Sequence, residues 1–172
     1  MSENRRVVVT GLGAITPVGN NVKETWEGLK NGKNGIAPIT CFDTTGYKAT
    51  LAAEVKGFDP KNYMDFKAAK RMEAFCQYAV AATKEALEDS GLDMEQAVEE
   101  SGIKGNVVPE RFSVLFGTGI GGINTFESEY RKLMEKGPRR VSPLFIPMLI
   151  ANMAAGMIAI HHDCRGTAMP AV

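Results

Sequence analysis

Cysteine is scarce in this chain. The three residues present, Cys41, Cys76 and Cys164, are odd in number, widely spaced and free of any CxxC pair. That pattern excludes a disulfide scaffold and a thiolate zinc site, and it fits a reducing compartment. Histidine is scarcer: His161 and His162 are the two, and as sequence neighbours they point in different directions and cannot form one ligand pair. No metal site is therefore expected; no cofactor is expected either. Net charge is also missing, since 20 basic residues balance 20 acidic ones, so a nucleic acid or an anionic membrane surface is not expected as partner and any charged partner must meet a local patch. The longest apolar run, Leu144 to Ile160, is broken by Pro147 and Asn152 and falls short of the ~20 residues of a spanning helix. The first residues lead into a short apolar strand rather than a signal-peptide core, and a cytoplasmic protein is expected. The phosphate-loop spelling G-x-x-x-x-G-K-S/T does not occur, nor do internal repeats or low-complexity tracts.

What the chain does have is an ordinary globular composition, 44% hydrophobic and 23% charged, over 172 residues, enough for one domain with a sizeable core. Its most distinctive stretch is Arg111 to Gly122, RFSVLFGTGIGG, a β-rich apolar run that breaks into four glycines within six residues. The run predicts a buried strand, and the glycines predict a tight turn before a helix that begins around Asn124. Gly117-x-Gly119-x-x-Gly122 spells a dinucleotide fingerprint. That reading is weak, because it needs an acidic residue at the end of the next strand ~20 positions on, and Glu135 falls inside a helix instead. Gly11-x-Gly13 is a second decoy, with Thr16 in place of a third glycine and Pro17 behind it.

Taken in order, Arg6 to Thr10 predicts a short parallel strand buried on both faces. Asn20 or Asn21 caps a helix to Lys30 with Trp26 and Leu29 inward, and Leu51 to Val55 predicts an edge strand. A long helix is expected from about Asp65 to Ser90, its inner face Met72, Phe75, Cys76, Ala79, Ala82, Ala86 and Leu87. Lys67, Lys70 and Arg71 share one face near its start, where the helix dipole disfavours cations; either a solvated face or a docking patch for an acidic partner explains them. Met94 to Ser101 predicts a turn of helix in an acidic excursion. Ile123 to Lys136 is an amphipathic helix stopped by Gly137-Pro138, Arg139 to Pro147 an extended loop, and Ile146 to His161 one buried helix. Cys164 beside Arg165 is a candidate activated thiol without an identifiable base. Thr167 to Val172 opens a further strand. The alternation is that of an α/β fold with a mixed, mainly parallel sheet and packed helices.

RRVVVTGLGAITPVGN, the FDTTGY loop, KAAKRMEAFCQYAVAATKEALEDSGL, VLFGTGIGG, GPRRVSPLFIPMLIANMAAG and the closing RG turn occur here in one order. In that order they resemble the β-ketoacyl-acyl-carrier-protein synthase II family, condensing enzymes of the thiolase fold, over nearly the whole chain. The resemblance implies that residues 1–172 form the N-terminal half of a thiolase-like fold. It implies a decarboxylative condensation of an acyl thioester with malonyl-carrier protein in fatty acid synthesis, by a homodimer. The family's cysteine takes the acyl chain, and two histidines aided by a lysine stabilise decarboxylation and condensation. None of these matches a position in this chain: the cysteine's T-A-C-like run is expected immediately after Val172 and the others beyond it, so neither His161 nor Cys164 takes a catalytic role. Carried over by position are Lys67, Lys70 and Arg71 as a docking patch for the acidic acyl carrier protein, Ile120 as gate of the acyl pocket, and Phe145 as a pocket residue near the two-fold axis. RGTAMPAV differs from the commoner R-G-P-S spelling. A non-catalytic carrier-protein-binding or dimerisation module of the same fold is the alternative, and a dinucleotide-binding domain a distant third.

Overall fold

The structure, a computed structural model, describes residues 6–92 and 107–172. The stretch Met94 to Ser101 lies outside the described residues. Two compact bodies emerge: one gathers the described residues up to Phe58 with Ala82–Gly91, the other Asp59–Ala81 with the described residues from Leu92 to Val172.

In the first body, helix α1 spans Val22–Lys30 and Asn21 is its N-cap, its side chain accepting from the Glu24 amide at 2.7 Å. Glu24 reciprocates by accepting from the Asn20 amide at 2.9 Å, so two otherwise orphaned donors are satisfied. Trp26 and Leu29 do not turn inward: they are 59% and 58% exposed. The inward position is Gly28, where an added Cβ would lie 3.2 Å from the Val18 carbonyl oxygen, so a close backbone approach, and not the bulkiest residues, sets the rotation of this helix. Strands β1 (Ile36–Pro38) and β2 (Leu51–Ala53) pair antiparallel with Ile36 opposite Ala53. Glu54 fastens the chain beyond them, accepting from the Thr40 amide and hydroxyl at 3.0 and 2.7 Å and from the Cys41 amide at 3.2 Å. Those bonds, the Thr40 hydroxyl foremost, hold its carboxyl down at about 2.

Arg6 to Thr10 is not a paired strand, and Val7, Val8 and Val9 are exposed. β propensity needs a neighbouring ladder to become a strand, and among the described residues none accepts these amides. The segment that follows packs closely on a helix instead: a Cβ on Gly13 would lie 1.8 Å from the Ala82 carbonyl oxygen, and one on Gly11 2.1 Å from that of Ala86.

The expected helix from Asp65 to Ser90 is two helices. Asp65 caps α2 (Phe66–Ala69) by accepting from the Lys67 and Ala68 amides at 2.7 and 3.0 Å, and α3 begins only at Ala74, running to Ser90. The Gln77 side-chain amide stabilises the break, donating to the carbonyls of Ala69 at 2.9 Å and Met72 at 3.1 Å that a continuous helix would have used. Met72, Cys76 and Ala79 are buried as their spacing predicts, whereas Phe75, Ala82, Ala86 and Leu87 are only half-buried.

In the second body, β3 (Val114–Gly117) pairs parallel with β4 (Ala168–Ala171), Leu115 opposite Met169. Between them lie α4 (Ile123–Lys136), α5 (Phe145–Leu149) and α6 (Met153–His161), with α6 against both strands through the buried Ala154, Ala155 and Ile158. Arg139 to Pro147 is not wholly extended, since Pro138–Arg140 forms a turn of 3-10 helix and α5 starts at Phe145. The class is α/β as expected, and among the described residues its sheet is confined to one antiparallel and one parallel two-stranded ladder.

Candidate functional site: a glycine loop and a basic patch

The loop after β3 is shaped by Gly121 and Gly122. Gly121 has φ +74°, a left-handed conformation, and a Cβ there would lie 2.5 Å from the Leu149 carbonyl oxygen; one on Gly122 would lie 2.2 Å from that of Met148. The approach lets the Gly122 amide donate to the Leu149 carbonyl at 2.8 Å. This contact accompanies the second unexpected helix break: Ile150 is extended at ψ 139°, and Ile146 to His161 becomes α5 and α6 rather than one helix. The loop that carries Ile120 is thus joined to the helix that carries Phe145. Ile120 is 62% exposed, and Phe145 is half-buried with its ring 6.2 Å from Phe126, which stacks on Tyr130.

Neither glycine spelling makes a phosphate cradle. Gly117 and Gly119, two positions that the fingerprint requires, have nothing within 4 Å of a built Cβ; the constrained glycines are those against α5. At the first loop, carboxylates already occupy the amides that an anion would need: Leu12 donates to Asp89 at 2.9 Å, and Ala14 to Glu85 at 2.9 Å. Negative side chains in those places oppose a phosphate.

A buried carboxylate that the sequence reading passed over supports the segment before Phe145. Glu129 on α4 is 5% exposed, pairs with Lys132 at 2.6 Å and accepts from the Ser142 amide at 2.7 Å. Lys132 first, and the Ser142 amide second, hold its carboxyl below the usual range. Its spacing to Lys132 reads like any solvated pair; only the return of the chain at Ser142 distinguishes it.

The basic trio sits elsewhere in this body, on and just after α2. Lys67, Lys70 and Arg71 are all exposed. The dipole of a four-residue helix opposes them little, since Lys67 lies within its single turn and Lys70 is its C-cap. Phe66 stands among them, 54% exposed, with the Lys70 ammonium 4.2 Å and the Lys61 ammonium 5.8 Å from its ring centre. Of the neighbouring acids, Asp65 accepts from the α2 amides, Asp59 from the Lys61 amide at 3.0 Å and Glu73 from the Asn124 side-chain amide at 3.0 Å.

The His161 and His162 rings are 6.4 Å apart and tilted by 50°. Cys164 is not activated by Arg165: burial first, and Asp163 second, push its thiol up, while Arg165 pairs with Asp163 at 2.8 Å and Glu110 at 3.4 Å. Burial likewise pushes Cys76 up to about 12, and Glu54 raises the exposed Cys41. Among the described residues no helix is long and apolar enough to cross a membrane.

The chain is 46% identical over 166 residues to a 3-oxoacyl-acyl-carrier-protein synthase 2 of Staphylococcus aureus, an alignment covering 96% of this chain and 38% of that protein. Among solved structures it resembles the ishigamide ketosynthase/chain length factor, with a TM-score of 0.82 and 30% identity, covering 98% of this chain and 40% of the other. A type II polyketide ketosynthase solved with its acyl-carrier protein shares the fold at a TM-score of 0.74 and 22% identity, covering 98% and 41%. Residues 4–172 match the family described as beta-ketoacyl synthase, N-terminal domain, and the chain belongs to that family, within the thiolase-like fold of the ketosynthases.

Proposed function

We propose that residues 1–172 are the N-terminal domain of a homodimeric, cytoplasmic condensing enzyme. It joins an acyl group to malonyl-carrier protein by decarboxylative condensation in fatty acid synthesis. The observation that carries the reading is the extent of likeness to the 3-oxoacyl-acyl-carrier-protein synthase 2 of Staphylococcus aureus, 46% identity spread over 96% of the chain. In this reading Lys67, Lys70 and Arg71 dock the acidic acyl carrier protein. Their exposure and the occupation of Asp59 and Asp65 by backbone amides support that role. Ile120 and Phe145 line the acyl pocket, supported by the tie between the Ile120 loop and α5 and by the aromatic packing of Phe145 on Phe126. The acyl-accepting cysteine, the two histidines and the lysine lie beyond Val172. The chain's own thiols do not suit the first role, because each is raised above its ordinary pKa and two are buried.

Reversing Lys67, Lys70 and Arg71 to glutamate in the full-length protein tests this. Titration against acyl carrier protein is expected to give a Kd raised by about tenfold or more at low salt, with the gap closing as salt rises, as for an exposed electrostatic surface. An unchanged Kd and salt slope would remove the docking role.

A further inference from the structure

Phe66 is an exposed apolar residue with two cations over its ring, and packing within this body does not account for it. Met64, Ala69 and Met72 on either side of it in sequence are 9%, 5% and 3% exposed, so the segment has a well-formed buried face, yet the largest side chain in it stays 54% exposed. Two ammonium groups lie over the ring, Lys70 at 4.2 Å and Lys61 at 5.8 Å from its centre, while Lys67 and Arg71 stand exposed on the same short segment. Two cations therefore lie over one exposed apolar ring and two more stand exposed on the same segment, while the carboxylates of Asp59 and Asp65 accept from backbone amides, Asp65 also acting on Lys67. An apolar centre with a charged rim is the arrangement of a binding hot spot, in which the rim excludes water from the central contact.

We infer that Phe66 is the apolar anchor of the docking surface, and that its occupant is a surface of the acidic carrier protein bearing one apolar side chain flanked by carboxylates. The charge pattern argues for this occupant: four exposed cations call for carboxylates on the partner, and the ring between them calls for a side chain that carries none. The inference rests on the carrier-docking reading above and adds to it a contact that salt does not screen. Cations laid on the ring hold it in place before the partner arrives, so little freedom is lost on docking.

The test is Phe66→Ala in the full-length protein, titrated with acyl carrier protein across a range of salt concentrations, beside the Lys67/Lys70/Arg71 reversal. The expected result is a Kd raised roughly three- to tenfold by a constant factor at every salt concentration, with Phe66→Leu, which keeps an apolar group but loses the ring, close to wild type. Because the ring is exposed, unchanged circular dichroism and Tm are expected for both variants. A Kd within twofold of wild type for Phe66→Ala, with the charge reversal still weakening binding, would overturn the anchor and leave the docking reading intact. A loss confined to low salt would also overturn it, since Phe66 would then act only as a perch for Lys70. No effect from either set of substitutions would remove both readings.

Discussion

At the residue scale, Glu129 and the three thiols carry the sharpest consequences. Glu129 joins α4 to the segment preceding α5 through one ion pair and one charge-assisted hydrogen bond, both made by the ionised carboxylate. Its folded pKa is depressed, so its stabilisation is complete above the ordinary carboxylate range near pH ~4 and is lost as pH falls through the lower folded value. Glu129→Gln is accordingly expected to lower Tm by about 5 °C near neutrality, with the two melting curves converging as the buffer is taken into the acid range. A constant gap at all pH values would show that the effect is packing rather than charge. For the thiols, exposure sets the order: Cys41, the exposed one, reacts first with iodoacetamide, and Cys76, 1% exposed and held at about 12, reacts last. The same facts predict that the 172-residue chain incubated with an acyl thioester gains no acyl mass, because Glu54 raises the Cys41 thiol and burial raises those of Cys76 and Cys164, which disfavours the attacking thiolate in each. An acyl adduct on intact-mass analysis would contradict this.

At the scale of elements, the glycine loop separates residues that the chain spells alike. Gly121→Ala would place a methyl group against the Leu149 carbonyl in a left-handed conformation, and is expected to cost about 2 kcal/mol. Gly117→Ala meets nothing within 4 Å and is expected to stay within about 0.5 kcal/mol of wild type. Chemical denaturation of the two variants checks the pair, and equal losses would mean that the contact with α5 is not what holds the loop. The contrast also marks what the sequence discloses. The Asn21 cap, β2, the place of the strand and loop around Gly117, and the stop of α4 at Gly137 were legible, because caps, alternation and glycine act over a few residues; the expected burial of that strand was not met, since only Val114 of β3 is buried. The breaks at Lys70 to Glu73 and at Ile150 were not. Their local pattern is helical, and what accompanies each break is a distant partner, the Gln77 amide in one case and the Gly122 amide in the other. The basic trio could be found from spacing and resemblance, but Phe66 at its centre could not, since a phenylalanine beside buried methionines reads as core.

At the scale of the whole molecule, apolar surface stands open among the described residues. A parallel strand pair is ordinarily covered on both faces. Here α6 lies against β3 and β4, while Leu115 and Met169, partners in register and so on the same face, are 74% and 53% exposed. In the other body Val7, Val8 and Val9, a pattern that spells a buried strand, are 94%, 66% and 79% exposed. The pattern thus disclosed the class and the demand for burial but not the partner, because alternation and propensity say that a face is apolar without saying what covers it. At roughly 25 cal/mol per Å2, surfaces of this kind seek cover by association. The 172-residue chain in isolation is expected to self-associate at micromolar concentration and to enhance the fluorescence of an apolar dye such as ANS, and mild denaturant is expected to disperse the assemblies before the helices melt. Static light scattering and circular dichroism over one titration read both properties. A monodisperse monomer that leaves the dye dark would mean that the valine segment and the open face of the ladder are covered within a single chain.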